Sequence, residues 1–311
     1  FMNNNIAISV KNLTKIYNAD SNNEILALDN ISLDITATSI FGLLGPNGAG
    51  KSTFINILAD LVRKSEGDIK ILGIDHATNL KKVKSLMGIV PQELNIDPFF
   101  TPFELLEIHA GLYGIPKKER QTMEILGMLA LEDKAHVYAR TLSGGMRRRL
   151  LIAKAMVHDP AILILDEPTA GVDVELRTNL WKNIEKLNSK GKTIIITTHY
   201  LHEAEELCNE IAIIDEGKLI AHDHTSKIKS IIDNREIKII HNNQNNLDLS
   251  SLRNLNIDLK PNGQTLEINY KPSEIRFNDL LKAINESKMD IQDISIKETR
   301  LEDVFLKLTQ S

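Results

Sequence analysis

The sequence predicts an α/β protein: a buried parallel sheet joined by helices, edged by antiparallel strands, bearing a helical lobe, and followed by a small α+β unit. Three observations carry this. A glycine-rich loop, GPNGAGKS at residues 45–52, runs out of the apolar stretch SIFGLLG and into the helically spaced KSTFINILADLV, in the order strand, loop, helix. Two short apolar runs, residues 161–165 and 193–197, bracket a helix-patterned stretch from about 174 to 188. Continuous apolar runs of that length read as strands buried on both faces. After about residue 225 the pattern changes to alternating strands and amphipathic helices.

From the N-terminus, Phe1 ahead of Met2 is read as a cloning remnant and set aside. IAISVKNLTKIY and ILALDNISLDI alternate around the polar turn Asp20-Ser21-Asn22-Asn23, which predicts an antiparallel hairpin at the domain edge. Residues 101–138 are helix-patterned and punctuated by Pro102 and Pro116, which predicts a separate helical lobe over about 95–155. In the last unit, REIKIIHNN, NIDL and TLEINY read as strands, with Asn262-Gly263 or its flanks making a turn. The asparagine-rich residues 242–256 read as loop. FNDLLKAINES reads as a helix, IQDISI as a strand, and LEDVFLKL as a closing helix with Leu301, Val304, Phe305 and Leu308 on one stripe. Two domains result, 6–225 and 226–311.

Composition bounds the function. At 311 residues the chain suits about two domains, and 42% apolar with 25% charged residues excludes disorder throughout. A net charge of -5 gives no footprint for nucleic acid, and no nucleic-acid partner is expected. Arg147-Arg148-Arg149, at the start of a helix, reads as a solvated face rather than a nucleic-acid patch. Cys208 is the sole cysteine, which excludes an internal disulfide, suits a reducing compartment and reads as a small buried hydrophobe. The longest apolar runs fall far short of the ~18 residues a membrane-spanning helix needs. No charged-then-apolar leader precedes them, so neither direct membrane insertion nor a secretory signal is expected. Any membrane part of the process would be another polypeptide.

The loop Gly45-Pro46-Asn47-Gly48-Ala49-Gly50-Lys51-Ser52, followed by Thr53, fits G-x-x-x-x-G-K-[ST] in its confirming context. Its glycines free backbone N–H groups to wrap a polyphosphate, and the helix N-terminus adds partial positive charge. Lys51 is expected at the β- and γ-phosphates and Ser52 on magnesium. The strand ILIL ends in Asp166-Glu167. Asp166 is expected to hold the magnesium shell and Glu167 to act as general base toward water.

Between these two elements stands Leu142-Ser143-Gly144-Gly145-Met146, opening a helix-patterned run. An LSGG box in that position resembles the signature of the ATP-binding cassette (ABC) ATPases. The resemblance covers residues 6–225 and implies a P-loop NTPase core of the ABC ATPase type. It implies that two subunits clamp ATP between the phosphate loop of one and Ser143, Gly144 and Gly145 of the other. Gln92, in MGIVPQE, matches the family's glutamine that links the metal and attacking water to the transmembrane partner. His199, in TTHY, matches the histidine that contacts the γ-phosphate, Asp173, in AGVD, the residue that crosses the dimer interface, and Tyr17 the aromatic that stacks on adenine. The family usually has glutamine where Met146 stands, which implies altered affinity rather than loss of function.

The combination LSGGMRRRL, DEPTAGVD and a terminal LEDVFLKLTQ is similar to the type 2, DrrA-like ATPases of multidrug and polysaccharide exporters. That resemblance implies an ATPase dimerising around two magnesium–ATP, driving export through a separate permease, and lying on the cytoplasmic face of the inner membrane. It also implies a small C-terminal accessory domain, 226–311, with a regulatory or dimer-stabilising role, after a nucleotide-binding domain at 6–225. The rivals are a soluble ABC ATPase of DNA repair or translation, a P-loop kinase or switch GTPase, and a non-hydrolysing ATP-gated module. Repair forms insert a long coiled coil and translation forms carry two cassettes, and this chain does neither. The signature box and His199 disfavour the kinase, and Glu167 disfavours the non-hydrolysing module.

Overall fold

Every residue of IFGLL is buried, as are all six of TIIITT and the first four of ILILD. Strands with no solvent face need neighbours on both edges and cover on both sides. The structure, a computed structural model, describes residues 5–19, 23–93, 95–170, 174–242, 248–297 and 299–309. It divides into two compact units, Phe1–Thr225 and Ser226–Ser311.

The first unit opens with β1 (Ile6–Tyr17), β2 (Ile25–Thr36), β3 (Ile40–Leu44), α1 (Lys51–Leu58), β4 (Glu66–Ile71), β5 (Ile74–Asp75), α2 (Leu80–Leu86) and β6 (Met87–Val90). A helical stretch follows with α3 (Pro102–Leu112), α4 (Thr122–Met128) and α5 (Gly144–Met156). The core resumes with β7 (Ile162–Asp166), α6 (Val174–Ser189), β8 (Thr193–Thr198), α7 (Leu201–Leu207), β9 (Glu210–Asp215) and β10 (Lys218–His224), and the short α8 (Thr225–Lys229) spans the division between the units.

The central sheet runs β10-β9-β3-β8-β7-β6, with all pairs parallel except β9 with β10. Its register sets Leu44 beside Thr198, Thr197 beside Asp166, and Leu165 beside Val90. The carboxyl ends of β3, β8, β7 and β6 therefore open side by side, on the edge where open α/β sheets bind ligands.

A second, antiparallel sheet runs β2-β1-β4-β5. Asn12 and Asn30 take positive φ, 51° and 50°, where the β1–β2 register slips; asparagine tolerates that conformation better than most residues. Ile8, Val10, Leu13 and Ile35 of this sheet share one core with Phe41 and Leu43 of β3, Phe54 and Leu58 of α1, and Ile195 of β8. Residues 51, 54, 55 and 58 of α1 are all buried, a helical i, i+3, i+4, i+7 stripe that begins with a lysine. In the helical stretch, α3 starts on a reciprocal capping box between Thr101 and Glu104, with Pro102 in its first turn, an arrangement worth about 0.5–2 kcal/mol at the cap.

In the second unit, β11 (Arg235–His241), α9 (Ser250–Arg253), β12 (Asp258–Asn262), β13 (Thr265–Tyr270), α10 (Phe277–Glu286), β14 (Ile291–Lys297) and α11 (Leu301–Thr309) build an antiparallel sheet, β12-β13-β11-β14. Ile237, Ile239, Leu266 and Ile268 pack there with Leu252, Leu280 and Ile284 of the helices. Gly263, at φ 61°, turns β12 into β13. The asparagine-rich stretch expected as loop contains α9, because Leu252 at 0% exposure anchors one turn against the sheet; residues 243–247 lie outside the described residues. On α11, Leu301 and Val304 are fully buried, while Phe305 and Leu308 are partly exposed. Among the described residues no helix is long and apolar enough to cross a membrane.

Candidate functional site

The carboxyl edge of the central sheet holds a cleft of about 700 Å³. Its floor is the loop between β3 and α1. Gly50 sits at φ 108° and a Cβ there would lie 2.6 Å from the Ala27 carbonyl oxygen, so only glycine fits. Gly48, at φ 86°, has no atom within 4 Å of a would-be Cβ, leaving its backbone open toward the cleft. Pro46 and Asn47 are exposed, whereas Ala49 is buried in the core, its N–H donating to the Pro46 carbonyl at 3.2 Å. Ser52 and Thr53 line the cleft from the first turn of α1.

Lys51 is 7% exposed, and its Nζ donates to the carbonyls of Gly45 at 2.7 Å and Pro46 at 2.9 Å. Burial pushes its ammonium below the usual lysine range, while Glu167 and Asp166 oppose that shift. A desolvated cation cradled by an open backbone loop suits a polyphosphate.

The opposite wall is built from β7 and β8. The Thr197 hydroxyl donates to Asp166 Oδ1, and Glu167 N–H donates back to Thr197 Oγ1 at 3.0 Å and to its carbonyl at 3.1 Å. Glu167 takes φ 45°, a left-handed conformation that costs a non-glycine residue about 1–3 kcal/mol and persists only where the surroundings impose it. Its carboxylate is 12% exposed and shared. Oε2 accepts from Gln92 Nε2 at 3.1 Å, and Oε1 lies 3.1 Å from His199 Nδ1. Each carboxylate oxygen keeps a further lone pair for a water. Gln92, with its amide nitrogen donating to Glu167, keeps its carbonyl oxygen for another partner.

At the cleft's edge, Tyr17 ends β1 half-buried, its hydroxyl 3.5 Å from Thr53 Oγ1. Ile25 and Leu26, 57% and 47% exposed, line the cleft on that side. This is an apolar shelf of the kind a planar base stacks on.

The fold separates the signature box from all of this. Ser143, Gly144 and Gly145 are absent from the cleft's lining, and Gly145 instead lines a cavity of about 330 Å³ beside α6. Ser143 is the N-cap of α5, accepting Met146 N–H at 3.3 Å. Its O–H remains available to donate. Asp173 lies outside the described residues.

The arginine run is not the solvated face the sequence predicts. Arg148 is 3% exposed; Nη1 donates to the Pro91 carbonyl at 2.8 Å and Nη2 to the Glu167 carbonyl at 3.1 Å. Burial lowers its pKa, with Asp166 and Glu167 opposing. Arg147 donates to the Leu142 carbonyl and Arg149 to those of Leu129 and Ala130. Helical spacing held the clue: Arg148 shares its face with the buried Leu151, Ile152 and Ala155.

A family model described as "ABC transporter" matches residues 28–170. The Nod factor export ATP-binding protein I of Cupriavidus metallidurans is 34% identical over 97% of each chain. That of Rhizobium johnstonii is 33% identical over 98% of this chain and 95% of its own. Among solved structures, the dimeric post-hydrolysis state of the ATP-binding cassette MJ0796 with ADP and Pi aligns with a TM-score of 0.62 at 28% identity. That alignment covers 70% of this chain and 98% of the other. CbiO1 from Clostridium perfringens, part of the cbiONQ complex, aligns at 0.64 and 25% identity over 72% of this chain and 90% of its own. The phosphate-loop cleft and the likeness over nearly the whole chain together identify this protein as a member of the ABC transporter family, one of its ATP-binding and ATP-hydrolysing subunits.

Proposed function

We propose that the chain works as one half of a head-to-tail dimer around two magnesium–ATP and drives export through a separately encoded membrane permease. The observation that carries the reading is the division of labour in the fold. Lys51, Gln92, Glu167 and His199 converge on one cleft, while Ser143 is presented elsewhere with a free donor. A γ-phosphate bound in the cleft still needs donors on its outer side, and a second chain's signature supplies them. The dimeric state of MJ0796 and the export function in the relatives' names support this assembly.

Lys51 exchanges its two carbonyl acceptors for phosphate oxygens, a gain in charge-assisted bonding. Glu167, held by Gln92 and His199, takes the proton of the attacking water. His199 keeps that water and the γ-phosphate in line. Ser143 and the N–H groups of Gly144 and Gly145 act on the partner's nucleotide, Asp173 lies at the crossing between subunits, and Tyr17 stacks on adenine. Ser52, Asp166 and the Gln92 carbonyl form an all-oxygen donor set that suits magnesium, which would neutralise charge on the β- and γ-phosphate oxygens. The permease docks near Gln92 and the helical lobe, where the exposed Phe99, Ile108, Leu112 and Tyr138 supply apolar surface for contacts. The subunit then resides on the cytoplasmic face of the inner membrane through that partner.

Glu167→Gln tests the assembly. It removes the base and keeps the shape, so ATP binds and the closed dimer accumulates. Light scattering on a sizing column should give monomer without nucleotide or with ADP, and dimer with ATP. A variant that binds ATP tightly yet remains monomeric at high concentration, even with its permease, excludes the head-to-tail mechanism.

A further inference from the structure

Behind the Glu167–His199 pair lies a second carboxyl group that no motif accounts for. Glu203, in the first turn of α7, is 1% exposed. Its Oε2 accepts from two hydroxyls, Thr198 Oγ1 at 2.7 Å and Thr169 Oγ1 at 3.0 Å. Its Oε1 accepts from the indole of Trp181 on α6 at 3.1 Å. Both threonines are 1% exposed. No lysine, arginine or histidine forms an ion pair with it among the described residues, so hydrogen bonds alone compensate its burial. An apolar residue of similar size would avoid that desolvation cost. The arrangement is therefore costly unless those bonds have a use.

Their placement indicates one. Thr198 directly precedes His199, and Thr169 stands two residues after Glu167. One carboxyl oxygen thus ties together the two segments whose side chains meet 3.1 Å apart in the cleft. On the other side, Thr197 joins β8 to β7 through Asp166 and the Glu167 N–H. Thr198 Oγ1 also accepts Tyr200 N–H at 3.0 Å, which fixes the turn that carries His199. We propose that Glu203 is the positioning residue that holds His199 against Glu167, acting through Thr198 and Thr169 and never touching nucleotide. This rests on the roles proposed above for His199 and Glu167.

The test is a double-mutant cycle on ATP hydrolysis by the full chain, read as kcat and KM, with single-turnover assays for slow variants. Glu203→Gln replaces one acceptor oxygen by a donor nitrogen and should lower kcat by about tenfold to a hundredfold, since small misplacements of reacting groups cost that much, with KM within about twofold. In a His199→Ala background the same change should cost less than about twofold, because its target is gone. Thr198→Val should repeat the loss and Thr198→Ser should restore it. Because Trp181 itself bonds Glu203, far-ultraviolet circular dichroism and a cooperative thermal melt verify folding in each variant. Unchanged kcat in Glu203→Gln, or losses that multiply with His199→Ala, overturn the proposal while leaving the His199 reading intact. Unchanged kcat in His199→Ala alone removes both.

Discussion

At the scale of single residues, the phosphate loop and the Asp166-Glu167 strand end are legible because their chemistry is local. A backbone nest and a strand-end carboxylate need only their own sequence neighbours. Lys51→Ala should accordingly weaken ATP binding and abolish turnover, since no methyl replaces a cation against the phosphates; near wild-type hydrolysis in a steady-state assay would remove the assignment. Helical spacing sets Arg148 on the buried face of α5, but what satisfies its charge there depends on what the fold brings over it. Two carbonyls from segments 57 and 19 residues away meet its guanidinium, and nothing nearby in sequence announces them. Arg148→Met would take the guanidinium from the Pro91 carbonyl and leave the Glu167 carbonyl with the Ala170 N–H alone, a loss of about 1.5–3 kcal/mol for hydrogen bonds to a charged group. Because those carbonyls belong to Pro91 and Glu167, the residues that set Gln92 and the base, kcat should fall by about tenfold with a smaller change in KM. Hydrolysis kinetics alongside thermal melting check this, and an equal kcat would show that Arg148 only supports the fold. Arg148→Lys, which reaches one carbonyl in place of two, should be intermediate.

At the scale of elements, apolar run length identified β3, β7 and β8, and the alternation identified the hairpin of β1 and β2. What the pattern left open is order and register. The pairing of β3 with β8 joins Ile40 to Ile194, and α9 forms in a loop-like stretch because Leu252 finds cover there. Helix α3 carries a consequence visible only in the folded chain. Burial first, then Lys154 and His158, hold the His109 pKa down to about 4 from 6.5. Above pH 6.5 the ring is neutral in folded and unfolded chains alike. As pH falls from 6.5 to about 4, the unfolded chain binds a proton that the folded one resists, so stability is lost across that window. For this partly exposed ring the loss is on the order of 1–2 kcal/mol. Denaturant titrations at pH 7 and pH 4.5 should show His109→Gln losing less stability than the parent chain. An identical loss in both would mean the ring is solvated.

At the scale of the whole molecule, the chain divides into two compact units, Phe1–Thr225 and Ser226–Ser311. Each unit closes its own core, one around Ile8, Phe41, Phe54 and Ile195, the other around Ile237, Ile239, Leu266 and Leu280. All of the cleft-lining residues lie in the first. We therefore expect the second unit to be dispensable for the chemistry and to act on regulation or on dimer stability. A chain ending at Ser226 should fold, bind ATP and retain ATPase activity within about tenfold, because it keeps every group that touches nucleotide in the proposed mechanism. In the same truncation carrying Glu167→Gln, the ATP-dependent dimer separates the two roles. A dimer that weakens while each monomer still binds ATP marks the second unit as a dimer support, and an unweakened dimer marks it as regulatory. Loss of nucleotide binding in a truncated chain that melts cooperatively would contradict the independence of the first unit.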